Sequence, residues 1–191
     1  RLGGNSLSDL LVFGRRAGQY AAEFARENGD ASISEEEIEA AAKDALAPFD
    51  REVADEGPFQ IQYKLQEEMQ ELVGIVRNEG NMSRALDVIA GLKERAGKVG
   101  VKGNREYNPG WHTALDLDNL MVVAEATTRS ALGRNESRGA HFREDFEGKD
   151  EALGKVITIC KKGTDGEMQC YHEDIPEMPD ELKQIIEENQ Q

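Results

Sequence analysis

Apolar residues recur at three- and four-residue steps through most of the first 133 positions, the period of helices with one buried face. The first such stripe is Leu7, Leu10, Leu11, Gly14, Ala17, Ala21 and Phe24, and it predicts a helix ending near Asn28-Gly29-Asp30. Ser6 and Ser8 are both suited to cap its start, Asp9 suits its first turn, and Gly14 and Gly18 leave room for another backbone. Ser34 followed by Glu37 is a capping box, predicting a helix over about 35 to 47 that stops at Pro48. Gly57-Pro58 opens a longer helix, with Ile61, Leu65, Met69, Leu72 and Val76 on one face until Gly80-Asn81. Met82, Ala85, Leu86, Ile89, Leu92 and Ala96 then form a stripe closed by Gly97 and Gly100. Asn108-Pro109 leads into the last long helix, where Leu117, Leu120, Met121, Ala124, Thr128 and Ala131 face inward as far as Gly133.

The period then disappears. "NESRGAHFREDFEGKDE" alternates charges without an apolar repeat and reads as a loop. "KVITICKKGTDGEMQCYHE" reads as a β-hairpin, with β-branched residues on either side of a turn through Gly163 to Gly166. A short terminal helix is predicted near Pro179. The expected fold class is mainly α: an antiparallel bundle of three long helices plus an N-terminal helix, with a small C-terminal β-hairpin. The chain divides into a leading helix (1–30), a helical bundle (31–135), and a charged loop, hairpin and tail (136–191).

Composition narrows the class. The 191 residues suit one domain with an appendage, and the formal charge of -15 argues against a nucleic-acid partner, since phosphate contacts need clustered Lys and Arg. No uninterrupted apolar run of roughly 18 residues is present, so direct membrane insertion is not expected. Two cysteines are too few for a disulfide framework and point to a reducing compartment. Arg1 is not a natural start, so nothing is read about a signal peptide.

Three groupings carry possible chemistry. Gly3 and Gly4 permit close backbone approach, and Ser6 and Leu7 offer N–H groups at the positive end of a helix dipole. That is either an ordinary capped start or a place for a partial negative charge. "ESRGAHFRED" packs Glu136, Arg138, His141, Arg143, Glu144 and Asp145 into ten residues, and the small Gly139-Ala140 pair suggests a tight bend. Catalysis, an anion clamp and a self-paired surface loop are all compatible with it, the last being the default. Cys160 and Cys170 stand equidistant from Asp165 and are expected to be neighbours across the hairpin as reduced thiols. His172 is close by, but the spacing matches no zinc pattern. Trp111 and His112 read as packing residues.

"RLGGNSLSDLLVFGRRAG" and "ESRGAHFREDF" together resemble the paired signatures of the flavoprotein subunit of succinate dehydrogenase and fumarate reductase. Between them, "LQEEMQELVGIVRNE" and "LDLDNLMVVAEATTRSALGR" are similar to that family's helical domain in order and spacing. The resemblance covers residues 1 to about 146. It departs at Glu147 and Gly148, where family members tend to have proline. It implies that residues 1–30 are the tail of an FAD-binding domain whose dinucleotide fingerprint, flavin-linking histidine and proton-donating arginine lie upstream. It further implies that Arg1 holds a carboxylate of succinate or fumarate, that Ser6 and Leu7 contact the pyrimidine end of FAD, and that electrons leave through an iron–sulfur subunit. A reduced flavin carries negative charge near N1 and O2, which the positive end of the leading helix would favour. Arg138, His141 and Arg143 are expected in a structural or interface role, with Arg138 and His141 ordered by nearby carboxylates. No catalytic residue and no metal ligand is expected within the chain, and FAD is not expected to bind to it alone. The expected location is cytoplasmic, peripheral to the inner face of the cell membrane through partner subunits. L-aspartate oxidase, with similar "NSLLE" and "ESRG" segments, is one alternative; a free-standing helical interaction module is the other.

Overall fold

A computed structural model of the chain describes residues 5–189. The chain divides into two compact units, residues 1–45 and 46–191. In the first, α1 runs Asn5–Asn28. It ends where the sequence places its end: Gly29 takes φ +69 and donates its N–H to the Ala25 carbonyl at 3.0 Å. That left-handed cap is one that glycine adopts without a side-chain clash. Ser6 stands inside the first turn of α1, not ahead of it as a cap. Among the described residues nothing lies within 4 Å of where a Cβ on Gly14 or Gly18 would sit. α2, Glu35–Asp50, starts on the expected capping box: Ser34 N–H donates to Glu37 Oε2 at 2.8 Å and Glu37 N–H to Ser34 Oγ at 3.2 Å. It passes through Pro48, where a stop was predicted. Pro48 lies in the last turn, where the one N–H bond it forfeits falls at the helix's end, and its carbonyl accepts the Val101 N–H at 2.9 Å.

The second unit is built on three helices, α3 (Pro58–Leu72), α4 (Glu79–Ala96) and α5 (Pro109–Gly133). Two apolar clusters fix their directions. Ile61 and Leu65 of α3 pack with Ile89 and Leu92 of α4 and with Leu117 and Met121 of α5. At the other end Leu72 meets Met82, Ala85 and Ala131. The late residues of α3 and α5 therefore meet the early residues of α4, so α4 runs antiparallel to both. Asn side chains start two of these helices: Asn78 Oδ1 accepts from Asn81 N–H at 2.8 Å, and Asn108 Oδ1 from Trp111 N–H at 3.0 Å. Trp111 packs its ring on Phe49, centroids 5.3 Å apart. Gly100 lets two segments touch, because a Cβ there would stand 2.6 Å from the Glu52 carbonyl oxygen.

α3 ends at Leu72, eight residues before the predicted stop at Gly80, and Gly80 and Asn81 fall in the first turn of α4. Val76, expected on the buried face of α3, is instead half exposed in β1 (Val76–Arg77). Arg77 explains the early stop: its Nε donates to the carbonyls of Val73 at 3.0 Å and Gly74 at 2.9 Å, supplying the acceptor-rich helix end with a charged donor. β1 pairs in parallel with β2 (Phe142–Arg143), inside the segment read as a plain loop. β3 (Val156–Lys162) and β4 (Met168–Asp174) form the expected antiparallel hairpin, with Cys160 opposite Cys170. α6, Asp180–Glu188, is the expected terminal helix.

Candidate functional site

The charged segment after α5 folds back on the ends of all three bundle helices. Arg138 and His141 exchange backbone hydrogen bonds at 2.8 and 3.0 Å across Gly139-Ala140, with Gly139 at φ +61 making the tight bend. Ser137 closes the next stretch, its Oγ accepting the Arg143 N–H at 2.8 Å.

Two carboxylate–guanidinium groups sit at its centre. Glu136 has no solvent-exposed surface. It accepts from Arg138 Nε at 3.0 Å, from Arg134 Nε at 2.8 Å and from the Asp150 N–H at 2.9 Å. The bond to Arg138, with smaller help from the Asp150 N–H and Arg134, outweighs burial and brings its carboxyl down to about 2. Arg143 is equally buried and grips Asp145 with two parallel bonds of 2.7 and 2.8 Å. Its Nη1 reaches the carbonyls of Ala131 and Leu132 at 3.2 and 3.1 Å, at the negative end of α5. Asp145 in turn accepts the Glu79 N–H at 2.8 Å, at the positive end of α4. The Arg143 guanidinium, and after it that N–H, hold the Asp145 carboxyl well below the usual carboxylate range. Glu144 accepts from Asn78, the residue capping α4.

His141 completes the set. Its Nδ1 lies 2.9 Å from Arg77 Nη1 and its Nε2 3.0 Å from the Arg134 carbonyl. A guanidinium only donates and a carbonyl only accepts, so the network assigns the neutral tautomer with the proton on Nε2. His141 thereby joins Arg77, which holds the end of α3, to Arg134, just past α5. The expectation that a carboxylate orders His141 is corrected: its partners are a guanidinium and a carbonyl, whereas the partner of Arg138 is the carboxylate Glu136.

As a piece of chemistry this is a clasp. Its ions spend their hydrogen bonds on one another and on helix ends. Arg138, His141 and Arg143 are brought together, and the sequence reading missed Arg77 and Arg134, which complete the cluster. Arg134 directly follows the Gly133 that marks the helix end, a usable signal. Arg77, 64 residues from His141, offered none. A second ion group passed unnoticed: Glu125, buried on α5, pairs with Lys93 and with Arg129, the latter at 2.7 Å. Among the described residues no group of three or more His, Cys, Asp or Glu could hold a metal ion, and no helix is long and apolar enough to cross a membrane. Of the other predicted site, Arg1 lies outside the described residues, and Ser6 and Leu7 are exposed in the first turn of α1. That turn carries no acidic residue, whereas the first turn of α2 has three.

Residues 62–184 match the family model for the fumarate reductase flavoprotein C-terminus. The chain belongs to that family. The fumarate reductase flavoprotein subunit of Haemophilus influenzae is 37% identical over 155 residues, covering 79% of this chain and 26% of that protein. The succinate dehydrogenase flavoprotein subunit of Coxiella burnetii is 37% identical over 154 residues, 80% of this chain and 26% of that one. Among solved structures, Mycobacterium smegmatis Sdh1 in complex with UQ1 superposes with a TM-score of 0.87 at 41% identity, over 97% of this chain and 32% of that one. A quinol–fumarate reductase with menaquinol superposes at 0.82 and 30% identity, over 93% and 32%. The chain thus spans about a quarter to a third of the length of the relatives it matches. The family match runs on to residue 184, past residue 146 where the resemblance read from motifs ended, and so takes in the hairpin.

Proposed function

We propose that this chain serves as the C-terminal helical portion of a flavoprotein subunit that interconverts succinate and fumarate and passes electrons to an iron–sulfur subunit. The family match over residues 62–184 carries the reading, and the relatives named fumarate reductase and succinate dehydrogenase flavoprotein subunits support it. The flavin of FAD would supply the hydride acceptor and donor. The first turn of α1 suits such a group. A helix leaves its leading N–H groups without internal acceptors, and its dipole is positive there, with Asp9, its nearest acid, standing one residue past that turn. Ser6 and Leu7 would present those N–H groups to the electron-rich edge of the ring, and Arg1 would hold a substrate carboxylate with its planar fork. The bundle would buttress the flavin domain and offer the iron–sulfur subunit a docking face. The clasp at Glu136–Asp145 would keep its helix ends in place. Such a subunit would sit on the cytoplasmic side, attached to the membrane through its partners.

The test is to purify the full-length protein with FAD and assay it with succinate and with L-aspartate. Flavin-dependent turnover of succinate alone is expected, and the 191-residue chain by itself should be colourless and inactive. Turnover of aspartate instead, or a flavin-coloured 191-residue chain, would overturn the proposal.

A further inference from the structure

The hairpin carries a chemistry that the flavin reading does not use. Cys160 and Cys170 face each other in register, their sulfurs 2.8 Å apart as free thiols. Two hydrogen bonds fix which kind of pair they are. Gly163 N–H donates to the Glu167 carbonyl at 2.7 Å, and Ile175 N–H to the Lys155 carbonyl at 2.8 Å. Bonded and non-bonded pairs alternate along an antiparallel ladder, so odd-numbered positions of β3 are bonded and Cys160 is not. At non-bonded pairs the Cα atoms approach to about 4.5 Å, inside the span of roughly 4.4–6.8 Å that a disulfide accepts. The backbone is already arranged for a bond between these sulfurs.

A small oxidant can also reach them. Cys160 lines an open cleft of about 420 Å³ between α5 and the hairpin, together with Lys93, Lys161 and Lys162. Two carboxylates, Glu125 and Glu167, share the cleft, and Glu125 is already paired with Lys93 and Arg129. Three ammonium groups against two carboxylates leave the cleft lining net positive, which attracts an anionic reagent.

We propose that Cys160 and Cys170 form a redox-active dithiol site that anionic low-molecular-weight disulfides, of the glutathione type, convert to a cross-strand disulfide. The Cys160 thiolate attacks one sulfur of the small disulfide, making a mixed disulfide and expelling one small thiolate. Cys170 loses its proton and attacks the Cys160 sulfur, expelling the second. Two cysteines are oxidised, one small disulfide is reduced to two thiols, and the two cysteine protons end on those thiols. Cys160 lines the cleft, which gives it the first attack, and burial, with the Cys160 sulfur beside it adding to the shift, pushes the Cys170 thiol up to about 11. The site does not depend on the flavin reading.

The experiment equilibrates the full-length protein with oxidised glutathione, blocks remaining thiols, and maps tryptic peptides by mass. Lys161 and Lys162 lie between the cysteines, so trypsin separates them into peptides 156–161 and 163–183. The expected product is these two peptides joined, lighter by two hydrogens than their sum, and separated by dithiothreitol. Cys170→Ser should stop the reaction with glutathione on Cys160, and Cys160→Ser should leave Cys170 mostly unmodified. Recovery of the two peptides unjoined, blocked or each carrying its own glutathione, would overturn the proposal.

Discussion

Glu136 shows most clearly what single side chains contribute to the clasp. A buried carboxylate is stable only when its oxygens are met, and here two guanidiniums and a backbone N–H meet them. Because its carboxyl is lowered from 4.5 to about 2, the stabilisation it gives is complete above about pH 4.5 and is lost as pH falls toward 2. Glu136→Gln removes that contribution. Denaturant midpoints should therefore separate wild type from variant widely near pH 7 and much less at about pH 3. A gap of the same size at both values would contradict the role given to Glu136. The density of charges in "ESRGAHFRED" made this segment visible in the sequence. The pairing did not show there, since the partner of His141 comes from Arg77 and a guanidinium's reach cannot be read from spacing.

At the scale of elements, the clasp works because helices end with unmet polar groups. Arg77 meets the carbonyls at the end of α3, Asp145 the N–H groups at the start of α4, and Arg143 the carbonyls at the end of α5. Arg143→Ala strips α5 of its donor and leaves Asp145 without its cation, at a cost of about 3 kcal/mol. The thermal midpoint should drop by roughly 10 °C, and Arg143→Lys should recover only part of it, since an ammonium cannot make the paired bonds. A midpoint unchanged in Arg143→Ala would mean the helix ends are held by something else. The same logic explains where element boundaries escaped the sequence. Ile61, Leu65, Met69 and Leu72 continue without a break to Val76 at helical spacing, and the helix ends early where Val76 and Arg77 pair with Phe142 and Arg143 and Arg77 bonds His141. Where the stop is local, as at Gly29 with its positive φ, the sequence placed it within a residue.

For the whole molecule, the bundle order, the hairpin and its cysteine register were legible because each follows from a short-range period or a turn. The family was legible through two motifs. One of them, at residues 1–18, lies partly outside the described residues, and its proposed ligand is a flavin. α1 leaves Leu7, Leu10, Leu11 and Phe24 exposed, which accords with a helix whose neighbours the flavin domain would supply. The central claim is that the first turn of α1 faces the flavin. The most direct test is the flavin midpoint potential of the full-length protein carrying Leu7→Pro, since proline is tolerated in a helix's first turn and deletes one N–H. A hydrogen bond to a charged group contributes about 1.5–3 kcal/mol, so losing it should lower a two-electron potential by roughly 30–60 mV. A potential equal to that of wild type, with the flavin still bound and the helix intact, would contradict the account.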